Sequence, residues 1–224
     1  MKLEHQHTGA TLLIASLAAQ GVDTVFCVPG ESYLAAIDAL YDYRDQIKLV
    51  VCRHEGSATF MAEAHAKATG RPGICFVTRA PGATQASIGL HTAHQDSTPL
   101  ILFIGQVGSE FMGREAFQEV DYRQMFQPVA KWVAEIAEPD RVPEMINRAF
   151  HEALSGRRGP VVLALPENVL SGEAKVAVQI AKPANPPQVV PSAQDLEKLT
   201  ALLENAQRPL VILGGSGWHT KAVE

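Results

Sequence analysis

No feature constrains the fold more than residues 48–77, where two short apolar runs flank one helix. The first run, K-L-V-V-C at 48–52, is apolar after a single lysine, as a strand buried on both faces should be. A turn carrying Arg53, His54 and Glu55 follows. Residues 56–69 then place Ala, Met and Phe on one stripe, and Gly70 with Pro72 beyond it gives a helix stop. The second apolar run is 74–77. Buried-type strands joined through a helix lie parallel, with a right-handed crossover. Glu55 therefore falls at the carboxyl end of a parallel strand, the edge at which open α/β sheets bind ligands.

The same alternation fills the rest of the chain. A helical stripe at 8–20 ends at Gly21, an apolar strand at 24–28 turns at Pro29-Gly30, and 33–43 reads as a helix. After residue 77, Pro81 suits the first turn of a helix over 81–94. Strands follow at 100–105, 131–136 and 160–165, with a helix at 142–154 before the last. Residues 106–128 are long and irregular, and such a loop inside a compact domain usually has a function. The expectation is an α/β domain over residues 1–170, doubly wound, with a mainly parallel six-stranded sheet and helices on both faces.

Residues 171–191 change character. K-P-A-N-P-P-Q-V-V-P at 182–191 is a stiff, extended linker. Ser192 is placed to cap a helix reaching about residue 205, and 209–213 reads as one more apolar strand before Gly214, Gly215 and Gly217. A helix and one buried-type strand cannot cover their own apolar faces. Residues 192–224 are thus expected to be the truncated start of a central α/β domain.

Composition excludes some partners. With 24 acidic against 19 basic residues and a net charge of -5, the chain has no basic stripe to meet nucleic acid. No apolar run approaches the roughly 18 residues that span a membrane. The opening M-K-L-E-H-Q-H-T-G lacks the apolar core of a signal peptide, so the expected location is cytoplasmic. Cys27, Cys52 and Cys75 each fall in a strand, at spacings that match no metal pattern, and read as small buried hydrophobes in a reducing compartment. His91-x-x-His94 with Asp96 offers ligands at one spacing only, and polar interior or interface histidines account for it.

Glu55 has two readings from position alone. A carboxylate at a helix start is favoured by about 0.3–1 kcal/mol, and capping would suffice to explain it. Held at a sheet edge among apolar neighbours, it is also a candidate proton-transfer group. A wider pattern bears on the choice. R-H-E-G at 53–56, A-E-A-H-A-K-A-T-G at 62–70 and T-R-A-P-G-A-T-Q at 78–85 are followed by D-S-T-P-L-I-L-F-I-G-Q-V, A-F-Q-E and S-G-R-R-G-P-V-V-L-A-L-P. Together, over about residues 8–169, these resemble the pyrimidine-binding domain of thiamine diphosphate enzymes of the acetolactate synthase group.

The resemblance implies that Glu55 is catalytic. It would hydrogen-bond a ring nitrogen of the aminopyrimidine and favour the imino tautomer that takes a proton from the thiazolium carbon. The implied activity is decarboxylation of a 2-keto acid and carbon–carbon bond formation. Pro29, Gly30, Pro81 and Gly82 would approach the cofactor. Gln118 would be a polar contact and Phe117 an apolar wall, both from a loop reaching a neighbouring active site. Arg157 would contact FAD in flavin-containing members. The diphosphate and Mg²⁺ would be held by a separate domain, on another chain or in a missing segment, because no Gly-Asp-Gly occurs here. A homodimer or higher assembly is implied.

Several positions depart from the family pattern. Glu31 stands where a Gly is usual, which would narrow and acidify the substrate pocket. Residues 78–85 stand where the family has Ser, Gly and a final Asn around a kept Pro-Gly-Ala-Thr, with Arg79 and Gln85 as departures; Arg79 would either pair a substrate carboxylate or lie solvated on the surface. Arg114 and Glu115 replace Thr-Asp, and Arg158 replaces Pro. His54 would tune Glu55, contact substrate or be structural. Two further readings remain: an orphan domain that dimerises with or regulates a full-length relative, and an unrelated nucleotide- or flavin-carrying α/β protein.

Overall fold

The computed structural model describes residues 7–175, 180–183, 185 and 189–215. Six strands form one sheet: β1 Thr24–Cys27, β2 Lys48–Val51, β3 Gly73–Val77, β4 Leu100–Gln106, β5 Trp132–Glu135 and β6 Pro160–Pro166. Their spatial order is β2-β1-β3-β4-β6-β5, and every pairing is parallel. The expected α/β class and six-stranded sheet are what the structure has.

Helices cover both faces. On one face lie α1 (Gly9–Ala19), α2 (Leu34–Tyr41), α6 (Val142–Leu154) and α7 (Glu167–Ser171). Their core contains Leu13, Leu17, Ile146 and Phe150, packed on Val25, Ile74, Phe76, Phe103 and Leu163. On the other lie α3 (Glu55–Thr69), α4 (Ala80–Gln95) and α5 (Tyr122–Phe126). Ala62, Ala86, Leu90 and Phe126 meet Cys75, Val77, Leu102 and Val162 there. Alternate residues of β3 and β4 thus point to opposite cores, and all five and all seven of their residues are buried. No helix of the described residues is long and apolar enough to cross a membrane.

Connection direction decides the faces. From β1 the chain steps outward to β2 through α2, and from β3 it steps the other way to β4 through α4. With right-handed crossovers, opposite steps put α2 and α4 on opposite faces. A crevice therefore opens between β1 and β3 at their carboxyl ends. Tyr33, 1% exposed, closes its floor by donating its hydroxyl to the carbonyl of Val28.

Two readings of the sequence need correction. Residues 48–52 are not a strand buried on both faces: β2 is an outermost strand, and Val51 is exposed. A continuous apolar run records hydrophobicity but not whether a second neighbour exists. Residues 209–213 form no strand either. Leu210, Val211, Ile212 and Leu213 are exposed, and no strand among the described residues offers them a ladder partner. Ser192 does cap α8 (Ala193–Glu204), accepting from the Asp195 amide, but α8 buries none of its residues. Gly217 lies outside the described residues. The short α7, directly after β6, had no periodicity to reveal it.

Close packing of α3 on the sheet depends on Gly73, where a Cβ would overlap the Ala62 carbonyl. Gly73→Ala is expected to cost about 1–3 kcal/mol. Urea unfolding should show a lower midpoint with an unchanged m value.

Candidate functional site

Glu55 is the first residue of α3, at the carboxyl edge of β2 beside the crevice. The cap of that helix is not Glu55. His54 performs it, its Nδ1 accepting from the Gly56 amide at 3.1 Å. The Glu55 carboxylate is left half-buried, with no hydrogen-bond or ion-pair partner among the described residues. Its charge is felt by the phenol of Tyr33 and the thiol of Cys75, both of which burial raises first of all.

Glycines form the opposite wall. A Cβ on Gly82, in the first turn of α4, would lie 3.3 Å from Glu55 Oε1 and 2.9 Å from Thr78 Cγ2. On Gly30, in the loop after β1, it would lie 2.5 Å from Thr78 Cβ. Thr78 is hydrogen-bonded to Ser32 across the crevice, oxygen to oxygen at 2.9 Å. Ser32 in turn fits only because Gly105 of β4 carries no side chain. Gly30, Ser32, Thr78, Gly82, Gly105 and Glu55 thus converge from the ends of four adjacent strands.

The long loop comes to the same edge. Gln118 sits at φ 64, and its carbonyl accepts from the Ala80 amide at 3.3 Å. Phe117 beside it is 73% exposed. The loop is braced by Glu119, whose carboxylate accepts from the Gly113 and Ala116 amides. Those amides hold its pKa below the usual carboxylate range. Pro29 and Pro81 are exposed at this edge. Arg114 and Glu115 are exposed, Glu115 with φ 54, and Gln85 lies on the exposed side of α4.

Arg79 requires a correction. It is neither solvated on the surface nor free: it is 7% exposed, donates from Nη1 to Glu31 at 3.1 Å, and pairs through Nη2 with Glu167 at the start of α7. Glu31 is therefore bound to Arg79, and the two departures from the family pattern neutralise each other in part. Glu167 escaped the sequence reading, although a charge directly after a buried strand marks the ligand edge. Ser32, Thr78 and Gly105 also escaped notice as one cluster, because their link is spatial.

Arg157 is elsewhere. It precedes β6, at the opposite edge of the sheet from Glu55, and donates to Ser97 Oγ and to the His94 and Gln95 carbonyls at the end of α4. His91 is exposed, and Asp96 pairs with Lys67. Among the described residues no three His, Cys, Asp or Glu are grouped to hold a metal ion. Cys27 and Cys75 are buried, Cys52 half-buried, and burial raises the Cys27 thiol to about 11.

A second recess of about 370 Å³ lies under the loop, walled by Gln106, Tyr122, Arg123 and Glu135 among others. Burial raises the pKa of Glu135, with Asp121 and Glu119 adding to it and Arg123 opposing.

The family model described as "Thiamine pyrophosphate enzyme, N-terminal TPP binding domain" matches residues 7–125, more than half of the chain. A probable acetolactate synthase large subunit of Methanocaldococcus jannaschii is 36% identical over 212 residues, 92% of this chain and 36% of that protein. The acetolactate synthase large subunit of Lactococcus lactis is 36% identical over 229 residues, covering 100% of this chain and 39% of its own length. That of Corynebacterium glutamicum is 36% identical over 93% of this chain and 33% of its own. The chain spans between a third and two-fifths of the length of these relatives.

Because the folded pKa of Glu135 lies above its unfolded value, ionisation penalises folding. The penalty is absent below the unfolded pKa and grows as pH rises through the folded one. Glu135→Gln is expected to raise the melting temperature at pH 7 and leave it unchanged near pH 4, measured by differential scanning calorimetry.

Proposed function

Since the chain belongs to the thiamine pyrophosphate enzyme family through its N-terminal cofactor-binding domain, we propose that it supplies the pyrimidine half of an acetolactate synthase-like site acting on a 2-keto acid. The observation that carries the reading is the Glu55 carboxylate, half-buried, without a protein partner among the described residues, and facing Gly82. A side chain at Gly82 would fill the space beside Oε1, so the residues present fit a flat ring brought up to that oxygen.

Bound there, thiamine diphosphate would supply the electron sink for breaking and making the bond beside the keto carbon. The work of this chain is narrower. Glu55 would hold a proton shared with a ring nitrogen, a placement that asks for an ionisable group of this length. Gly30 and Gly82 would let backbone approach the ring, and Ser32 with Thr78 would keep the crevice at fixed width. Gln118 would be a polar contact and Phe117 an apolar wall, from a loop reaching a neighbouring active site.

The diphosphate and Mg²⁺ would be held by a separate domain, on another chain or on a further segment. FAD enters only through Arg157, whose donors cap α4 at the far edge. Residues 1–170 would form the pyrimidine domain, 171–191 a linker and 192–224 the start of a central domain. A homodimer or larger assembly is supported by Phe60, Met61 and Ile88, apolar side chains that α3 and α4 leave exposed near the site. The same face favours a second reading, a domain that pairs with or regulates a full-length relative without turning over itself.

In a complex with a diphosphate-binding domain, Glu55→Gln should slow deuterium exchange at the reactive carbon of the cofactor by about 10²–10⁴-fold. Its circular dichroism should match that of the unsubstituted chain. An unchanged exchange rate would remove Glu55 from the mechanism. Calorimetric titration of the chain alone with thiamine diphosphate and Mg²⁺ should give weak binding or none; micromolar affinity would overturn the need for a second domain.

A further inference from the structure

Arg79 is a buried cation placed at the ligand edge, one residue after Thr78 and across from Gly30. A guanidinium that far from water needs anionic partners, and it has two. They are unequal. Glu167 is the closer, and its side chain is 43% exposed; Glu31 is at 3.1 Å, and its side chain is 71% exposed. An exposed ion-pair arm is screened and contributes little. Glu31 also belongs to a single 3₁₀ turn, Glu31–Tyr33, that follows an extended Gly30, so little backbone structure holds its side chain.

The guanidinium is not saturated. Its Nε is buried with no hydrogen-bond partner among the described residues, as is the hydroxyl of Tyr122, which is 3% exposed and near enough to feel the charge of Arg79. Arg79 is therefore held by Nη1 and Nη2 alone, with unused donor capacity in a region closed to water. The two Nη arms therefore carry all of its pairing, and the Nη1 arm is the one whose acid, Glu31, is the more exposed.

We propose that Arg79 recognises the carboxylate of a small 2-keto acid, and that Glu31 holds the site shut until that carboxylate takes its place on Nη1. Glu167 stays on Nη2 throughout and keeps the cation paired. The identity of the acid rests on the function proposed above; the exchange itself rests on the Glu31–Arg79–Glu167 geometry. Glu31 then serves selectivity rather than repulsion, because only an anion that makes a better bond to the guanidinium displaces it.

The test is a nuclear magnetic resonance titration of the chain with sodium pyruvate, following the Arg79 Nε–H and Thr78 N–H signals, with no cofactor present. A tethered carboxylate competes at an effective concentration in the millimolar range. Glu31→Gln removes that competitor and should tighten pyruvate binding about tenfold or more. Arg79→Gln should abolish the shifts, and Arg79→Lys should keep the fold and weaken them. Methyl pyruvate, which carries no charge, should shift neither signal. Equal affinity in the unsubstituted chain and Glu31→Gln, or no movement of Arg79 Nε–H, would overturn the exchange. Acetate binding as tightly as pyruvate would overturn the assignment to 2-keto acids. Failure of the cofactor reading would show in the Glu55→Gln exchange experiment and would leave this titration readable.

Discussion

The structure depends on one consequence of chain direction: β1 and β3 are neighbours whose following helices leave on opposite faces. Backbone cannot fill the gap so created, because α2 and α4 diverge from it. The gap is instead set by small contacts. Tyr33 closes it from below, the Ser32–Thr78 hydrogen bond spans it, and Gly30, Gly82 and Gly105 supply the clearance. Each contact joins residues from different strands. The width of the crevice is therefore a property of the sheet, and no single loop fixes it.

Charge at this edge is distributed with a division of labour. Among the described residues Glu55 is left unpaired, the capping duty falling to His54. A carboxylate that accepted the helix amides would be stabilised in its ionised form and be a poorer partner for a shared proton. Arg79 is the opposite case, a cation with two acids, buried where a free charge would be costly. The two groups share one sheet edge, and the first is available because its own neighbours do not use it. Glu119 shows a third arrangement, in which the acid serves the backbone by ordering the 113–119 turn that carries Gln118.

Much of this was legible in the sequence. The strand–helix alternation gave six strands within a residue or two at most ends, because runs such as 74–77 and 100–105 are hydrophobic on both faces and Gly70 and Gly21 stop their helices in left-handed geometry. The position of Glu55 followed from the same pattern. What failed did so for one reason. The run 48–52 and the run 209–213 are both apolar, but burial on two faces needs a layer packed over each, and periodicity does not report what packs there. The placing of Arg79 failed for a related cause: its partners, Glu31 and Glu167, are 48 and 88 residues away in the chain.

The amino-acid order by itself determined the local units: which segments extend, which coil, where they stop, and that an acid follows the second strand. Those outcomes depend on backbone preference and hydrophobic period, which act over a few residues. Tertiary structure alone decided which strand lies at the rim and which side chain fills the room a glycine leaves. It also decided that one arginine is shared between two glutamates while a third glutamate finds no partner among the described residues. Those outcomes depend on distances between atoms remote in sequence, and only the folded sheet sets such distances.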